Sequence, residues 1–276
     1  MKIRINESEN NDTYIYTGGQ APKDVVNVVV DNNVEVIARG AFTDCKRLEN
    51  ITIPNGVTHI KGWAFSGCES LKNITIPNSV TYIGDHAFYY CRNLTHIEIP
   101  NSIPIKSIKE GTFGSSPKLK NIIIPDSVTS IEEEAFAGCN GITNITIPNG
   151  VRSIGKRAFF WCRGLNSITV PNSVEQLGFA AFPEKHYLTV YTDNEYVANY
   201  CKEWEITVKP MNNSKNVSKS TDSVNDDTYL KIGKAILNYF NNVTFESDGI
   251  YIHCSNKDKA IKLYKEVSNA IDETVR

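Results

Sequence analysis

Leu71-Lys72-Asn73-Ile74-Thr75-Ile76-Pro77-Asn78-Ser79-Val80-Thr81-Tyr82-Ile83-Gly84-Asp85-His86-Ala87-Phe88-Tyr89-Tyr90-Cys91 decides the fold. Ile74 and Ile76 alternate as in a short strand that turns both side chains inward. Pro77 cannot donate to a ladder and ends the strand. Asn78-Ser79 supplies turn chemistry. Val80 and Ile83 turn back inward, and Ala87-Phe88 fills the volume beneath. A segment this short cannot bury so many apolar groups by itself; stacked copies can, because each covers the next.

Copies lie on both sides. Prolines recur at Pro54, Pro77, Pro100, Pro125, Pro148 and Pro171, and phenylalanines at Phe42, Phe65, Phe88, Phe113, Phe136, Phe159 and Phe182. The interval is 23 residues throughout, except for one step of 25 whose two extra residues fall between Pro100 and Phe113. A fixed period of this size marks a stacked repeat. At ~4.8 Å per coil, seven coils make a body roughly 30–35 Å long.

The unit resembles the BspA-like class of leucine-rich repeats, whose signature is the same I-P-x-x-V-x-x-I-x-x-x-A-F-x-x-C run, from about Val28 to Phe182. The resemblance implies a solenoid of short parallel strands, stacked right-handedly and capped at both ends. It also implies a protein-interaction scaffold. Members are best known as surface proteins that mediate adhesion, and related repeats occur in intracellular proteins. Asp31 replaces the proline of the first unit, and the last unit lacks its cysteine; terminal units depart in this way because they are caps. The fourth unit carries the two-residue insertion, with Thr112 and Ser116 in place of Ala and Cys. A bulge or surface bump is expected there.

The pattern divides the chain. Residues 1–27 read as an N-terminal cap with strands at 2–6 and 13–16 and a Gly18-Gly19 turn. Residues 28–187 are the repeats. Residues 188–210 read as a C-terminal cap made of a strand, a helix over 194–204 and a second strand. Residues 211–227 are polar and rich in Ser, Asn and Asp, which predicts a flexible linker. Residues 228–276 regain pattern as a small α+β module, α-β-β-α, with a hairpin turn at Asp248-Gly249 and a capping box at Ser255 and Asp258.

The chain has 276 residues and a net charge of −2, which gives no general argument for nucleic acid or a membrane surface. The C-terminal module is likewise balanced in charge and carries no nucleic-acid footprint. No apolar run reaches the ~20 residues of a membrane span. The first residues lack the apolar core of a secretory leader. A cytoplasmic location with reduced cysteines is therefore expected.

Cys45, Cys68, Cys91, Cys139 and Cys162 each follow their Phe by three residues. Stacking spreads them along a line, as small buried core residues rather than as a convergent metal site. The five histidines form no H-x-x-H pair, and no nucleophile elbow or phosphate loop occurs. No catalytic residue, metal or cofactor is expected, and the chain reads as a binder rather than an enzyme.

The outward strand positions form two columns. One is Asn50, Asn73, His96, Asn121, Asn144 and Ser167; the other is Thr52, Thr75, Glu98, Ile123, Thr146 and Thr169. Asn and Thr suit exposed strands in any case, so individuality sits at His96, Glu98 and Ile123. Tyr89, Tyr90, Phe160 and Trp161, between Phe and Cys of their units, are candidate aromatic anchors or packing between neighbouring loops. The expected partner is a protein or peptide, held by the strand face or the loop edge. The alternatives are an exported adhesin-like surface protein, or a function carried by residues 228–276 with the repeats as spacer. That module also offers a route to self-association.

Overall fold

The computed structural model describes residues 13–183 and 188–211 and, beyond them, the backbone of two strands. The chain divides into two units, Met1–Asn212 and Asn213–Arg276. The first is a parallel β-solenoid of about seven turns.

Every coil but the one at Asn121 contributes a front strand at the position of the Asn-Ile-Thr segment. In chain order these are β1 (Thr13–Tyr16), β2 (Asn27–Val30), β4 (Asn50–Thr52), β6 (Asn73–Thr75), β8 (His96–Glu98), β11 (Asn144–Thr146), β13 (Ser167–Thr169), β15 (Thr189–Tyr191) and β16 (Thr207–Lys209). All pairings along this face are parallel, and those between repeats keep the repeat register, for example Asn73 with His96 and Asn144 with Ser167. Asp31 explains its own departure from proline. Its N–H donates to the Tyr16 carbonyl at 2.9 Å, a bond proline cannot make.

A second parallel ladder was not anticipated. It comprises β3 (Val36–Ile37), β5 (His59–Ile60), β7 (Tyr82–Ile83), β9 (Ser107–Ile108), β10 (Ser130–Ile131), β12 (Ser153–Ile154) and β14 (Gln176–Leu177). A third run of inter-coil bonds joins the Phe turns. The Phe42 N–H donates to the Ala64 carbonyl at 2.7 Å, Phe65 to Ala87 at 2.8 Å, and so on to Phe159 and Ala181. Three lines of backbone bonding thus leave little main chain unsatisfied.

The core is the consensus. All seven Phe side chains are buried, as are the Ala and Cys columns, and the rings stack at centroid distances of 5.1–5.4 Å in four of the regular steps, opening to 6.5 Å between Phe159 and Phe182 at the C-terminal end. The step from Phe88 to Phe113 widens to 5.8 Å. This is where the insertion falls. Ile103 and Ile105 both turn inward there, so the extra residues form an inward-packed bulge and not a surface bump. The price is paid in the ladders: β7 does not pair with β9, and the front row keeps only an isolated bridge between His96 and Asn121.

Two columns per coil lie in the left-handed backbone region. Before the Ala-Phe pair stand Gly40, Trp63, His86, Gly111, Glu134, Arg157 and Ala180; two residues after the Phe stand Asp44, Gly67, Tyr90, Ser115, Gly138 and Trp161. The tight corner demands φ > 0, which only glycine adopts without strain.

The C-terminal cap closes the last coil with hydrogen bonds as well as apolar surface. Helix α1 (Glu195–Glu203) starts at Asn194, whose side chain accepts from the Val197 N–H and donates to the Val174 carbonyl at 2.7 Å. Tyr196 and Tyr200 hydroxyls accept from the Leu177 and Ala181 N–H groups, and Tyr200 donates to the Gly178 carbonyl. Val197 and Cys201 are buried. At the other end, the expected strand at 2–6 lies outside the described residues.

Of the second unit, β17 (Val243–Glu246) and β18 (Gly249–Ile252) pair antiparallel with Val243 opposite Ile252. The expected linker and the two helices of this module lie outside the described residues.

Candidate functional site

The strand face is assembled from the side chains that alternate away from the core. Asn50, Thr52, Asn73, Thr75, His96, Glu98, Asn121, Ile123, Asn144 and Thr146 are exposed, and Ser167 and Thr169 are half-buried. Much of the polar content is spent between coils. Asn50 donates to the Asn27 side chain at 2.8 Å, Ser167 to Asn144 at 2.6 Å, and Thr75 to Glu98 at 3.3 Å. The bridge from His96 to Asn121 leaves Ile123 in the row of Glu98. Ile123 is 65% exposed, an aliphatic side chain where the repeat places threonine.

The face also extends further than the sequence reading placed it. Val29, in the same row one coil before Thr52, is 41% exposed, and Tyr191 pairs beside Thr169. The alternation of Val28-Val29-Val30 was the available signal for the first.

The front ladder opens between β4 and β6, which are not hydrogen-bonded to one another. The expectation that both isoleucines of each unit point fully inward fails there, because Ile51 and Ile53 are only half-buried. They line a depression of about 360 Å³ with Thr52, Asn55, Asn73, Ile74, Thr75 and Pro77. Its lining is neutral and mixes aliphatic, amide and hydroxyl groups.

The four aromatic candidates do not share one environment. Tyr89, Tyr90 and Phe160 are half-buried, whereas Trp161 is 63% exposed. Tyr89 meets Trp63 and His86 edge-on, and these last two rings stack at 4.2 Å and 2°. The Nδ1 atom of His86 is buried there without a hydrogen-bond partner. Nothing in the sequence singled out this Trp-His stack, which joins positions one full repeat apart. Phe160 stacks on Trp161 at 5.0 Å, with the Arg157 guanidinium 5.4 Å from its centroid. Exposed Phe179 packs edge-on against Trp204 of the cap.

The cysteine column is structural chemistry. Cys68 donates to the Phe42 carbonyl at 3.2 Å, Cys91 to Phe65 at 3.2 Å, Cys139 to Phe113 at 3.1 Å and Cys162 to Phe136 at 3.0 Å. Ser116 keeps this bond, donating to Phe88 at 3.1 Å. Burial pushes the Cys45 thiol up to about 11 and those of Cys91 and Cys201 to about 12; it also raises Cys68 and Cys139 well above the ordinary thiol value. Protonated thiols at neutral pH are poor nucleophiles and poor metal ligands. Among the described residues no group of three or more His, Cys, Asp or Glu converges in the manner of a metal site. Among them too, no helix is long and apolar enough to cross a membrane.

The chain matches the family described as BspA type leucine-rich repeat region, in six copies, over residues 20–141 and 106–204. No curated protein matches it. Among solved structures, a leucine-rich repeat protein from Eubacterium ventriosum is 26% identical with a TM-score of 0.52, over 56% of this chain and 41% of that one. A leucine-rich repeat protein from Bacteroides ovatus is 28% identical with a TM-score of 0.45, over 68% of this chain and 61% of that one. The T. pallidum leucine-rich repeat protein is 22% identical with a TM-score of 0.45, over 72% of this chain and 91% of that one. The chain therefore spans less than two thirds of the length of the first two of these proteins.

Proposed function

Because the chain belongs to the BspA-type leucine-rich-repeat family, we propose that it is a non-catalytic scaffold that binds a protein or peptide partner on the outside of its solenoid. One observation carries this reading. The consensus side chains are consumed by the core, while the positions that break the repeat put large apolar groups in water, with Ile123 65% and Trp161 63% exposed. Exposed apolar side chains that the core does not use are available as anchors for a partner. Repeats of this family are generally non-catalytic. Their surface roles elsewhere leave the compartment open to either assignment; we favour a cytosol-like one, supported by the free, buried thiols of Cys45, Cys68, Cys91, Cys139 and Cys201.

The test uses the full chain as bait, beside two variants that restore the repeat on one face or the other: Glu98→Thr with Ile123→Thr, and Trp161→Gly. A partner held by the native chain and lost from one variant supports the scaffold and identifies its face. A set of captured proteins identical for all three baits would refute binding through these exposed positions, and retention of the same set by residues 213–276 alone would refute binding by the repeats.

A further inference from the structure

Tyr90 and Trp161 occupy the corner column that Gly67 and Gly138 occupy in other coils, with φ of 59° and 56°. A bulky residue in this region costs on the order of 1–2 kcal/mol. Burial does not repay that cost at Trp161, which is 63% exposed. Asp44 and Ser115 meet the same demand with small polar side chains, so a large exposed ring at this corner serves contact rather than the turn. The two coils involved share one local sequence. Tyr89-Tyr90-Cys91-Arg92 and Phe160-Trp161-Cys162-Arg163 have the same order of aromatic, aromatic, Cys, Arg, and none of the other coils has it.

Between them stand two coils with small residues at the same positions, Gly114-Ser115 and Ala137-Gly138. Backbone bonds hold the four coils in register: Tyr90 N–H to the Gly114 carbonyl at 2.8 Å, Ser115 to Ala137 at 2.7 Å, and Gly138 to Phe160 at 2.7 Å. Tyr90 and Trp161 are therefore three coils apart, ~14 Å at ~4.8 Å per coil, with Ser115 and Gly138 as the floor between. Small residues between the two aromatic positions leave a notch along the loop edge, bounded on the Tyr90 side also by the Tyr89 ring, which lies against Gly114. At about three coil spacings less the thickness of the rings, it matches one extended chain.

The rim is cationic. Residues 89–94, 114–119, 137–142 and 160–165 include Arg92, Lys118 and Arg163 and no carboxylate. Arg92 lies 4.2 Å over the Tyr90 ring and donates to its hydroxyl, and Lys118 donates to the Asn93 side chain at 2.7 Å. Both cations are exposed, and these partners are neutral. The earlier coils differ, since there Lys46 is paired with Glu69 at 3.0 Å.

We propose that this notch binds an extended acidic peptide, seating a proline or other apolar side chain between Tyr90 and Trp161 and its carboxylates against Arg92 and Lys118. The proposal rests on the scaffold reading above and assigns it a site and a partner chemistry. Aromatic-lined grooves of this width suit extended or polyproline-type chains, and the charge complement selects acidic ones.

The probe is a random twelve-residue peptide library displayed on phage and panned on the immobilised full chain. Selected peptides are then synthesised and titrated by fluorescence anisotropy. Peptides should be net acidic with proline or apolar residues at their centre. Binding should weaken about tenfold or more in Trp161→Gly and in Tyr90→Gly, and in Arg92→Glu with Lys118→Glu. The two glycine variants should keep the native melting temperature, because glycine is what neighbouring coils use there; this separates lost contact from lost fold. Selected peptides that are basic, that bind the glycine variants undiminished, or that a twelve-residue oligothymidylate displaces would overturn the notch while leaving a scaffold with another site. Failure to select any peptide would also overturn it, and the bait comparison above would then judge the scaffold reading separately.

Discussion

Raising the pH above 9 should destabilise this protein through its cysteine column. Cys68, Cys91 and Cys139 are fully buried, each donating its thiol proton to a carbonyl one coil back. Burial holds Cys91 at about 12 and raises the other two well above the ordinary value of 9.0. The unfolded chain releases these protons near pH 9, whereas the native state keeps them. The native state therefore binds more protons throughout the window between the two values. Their contribution is full below pH 9 and falls as pH rises from 9 towards 12. Each pH unit in that window removes about 1.4 kcal/mol per thiol. At pH 10 Cys91 alone removes about 1.4 kcal/mol, and Cys68 and Cys139 act in the same direction, against the ~5–15 kcal/mol that holds a domain folded. Urea denaturation at pH 8 and pH 10 measures the loss in the native chain and in the triple variant Cys68→Ser, Cys91→Ser, Cys139→Ser. Serine is accommodated in this column, as Ser116 shows by donating to Phe88 at 3.1 Å. Tyr16 and Tyr200, also raised by burial, are present in both proteins and cancel. The variant should lose at least about 1.4 kcal/mol less than the native chain over this interval. Equal losses would refute the assignment of alkaline lability to the thiol ladder.

Phe136→Ala removes one ring from the stack, 5.4 Å from Phe113 and 5.1 Å from Phe159; a loss of about 3–5 kcal/mol is expected in urea denaturation. Deleting Ile103 and Pro104 restores the 23-residue spacing and should let β7 pair with β9, seen as slowed amide exchange at Tyr82, Ile83, Ser107 and Ile108. Unchanged exchange there would mean that the insertion is not what splits the second ladder. Asn194→Ala removes the helix cap together with the bonds to the Val174 and Asn172 carbonyls. It should cost about 1–2 kcal/mol and raise exchange first in α1, as a thermal melt with site-resolved exchange would show.

The period made the front strands, the Phe and Cys columns and the C-terminal cap legible, because each rests on apolar residues at fixed spacing. Residues 194–204 read as a helix from one apolar face, and the structure runs it from Glu195 to Glu203 with Asn194 as its cap. The second ladder was not legible, because it has only two residues per coil and V-x-x-I shows no alternation of period two. The opening between β4 and β6 was not legible either, since both strands have the sequence Asn-Ile-Thr. Repetition fixes the average coil and is silent about how two identical coils meet.

The binding face was legible only as a list of departures, and such a list cannot rank them. Backbone conformation supplies the ranking. Gly67 and Gly138 recur at no fixed interval that marks a column in the sequence; once the backbone shows that their column requires φ > 0, Tyr90 and Trp161 in the same column become costly choices. His96 and Glu98, by contrast, sit in relaxed strand positions that accept almost any side chain, so their individuality carries less weight. Departures that the backbone resists are better evidence of selection for contact than departures it tolerates, and on that argument the loop edge at Tyr90 and Trp161 outranks the strand face that the sequence first suggested.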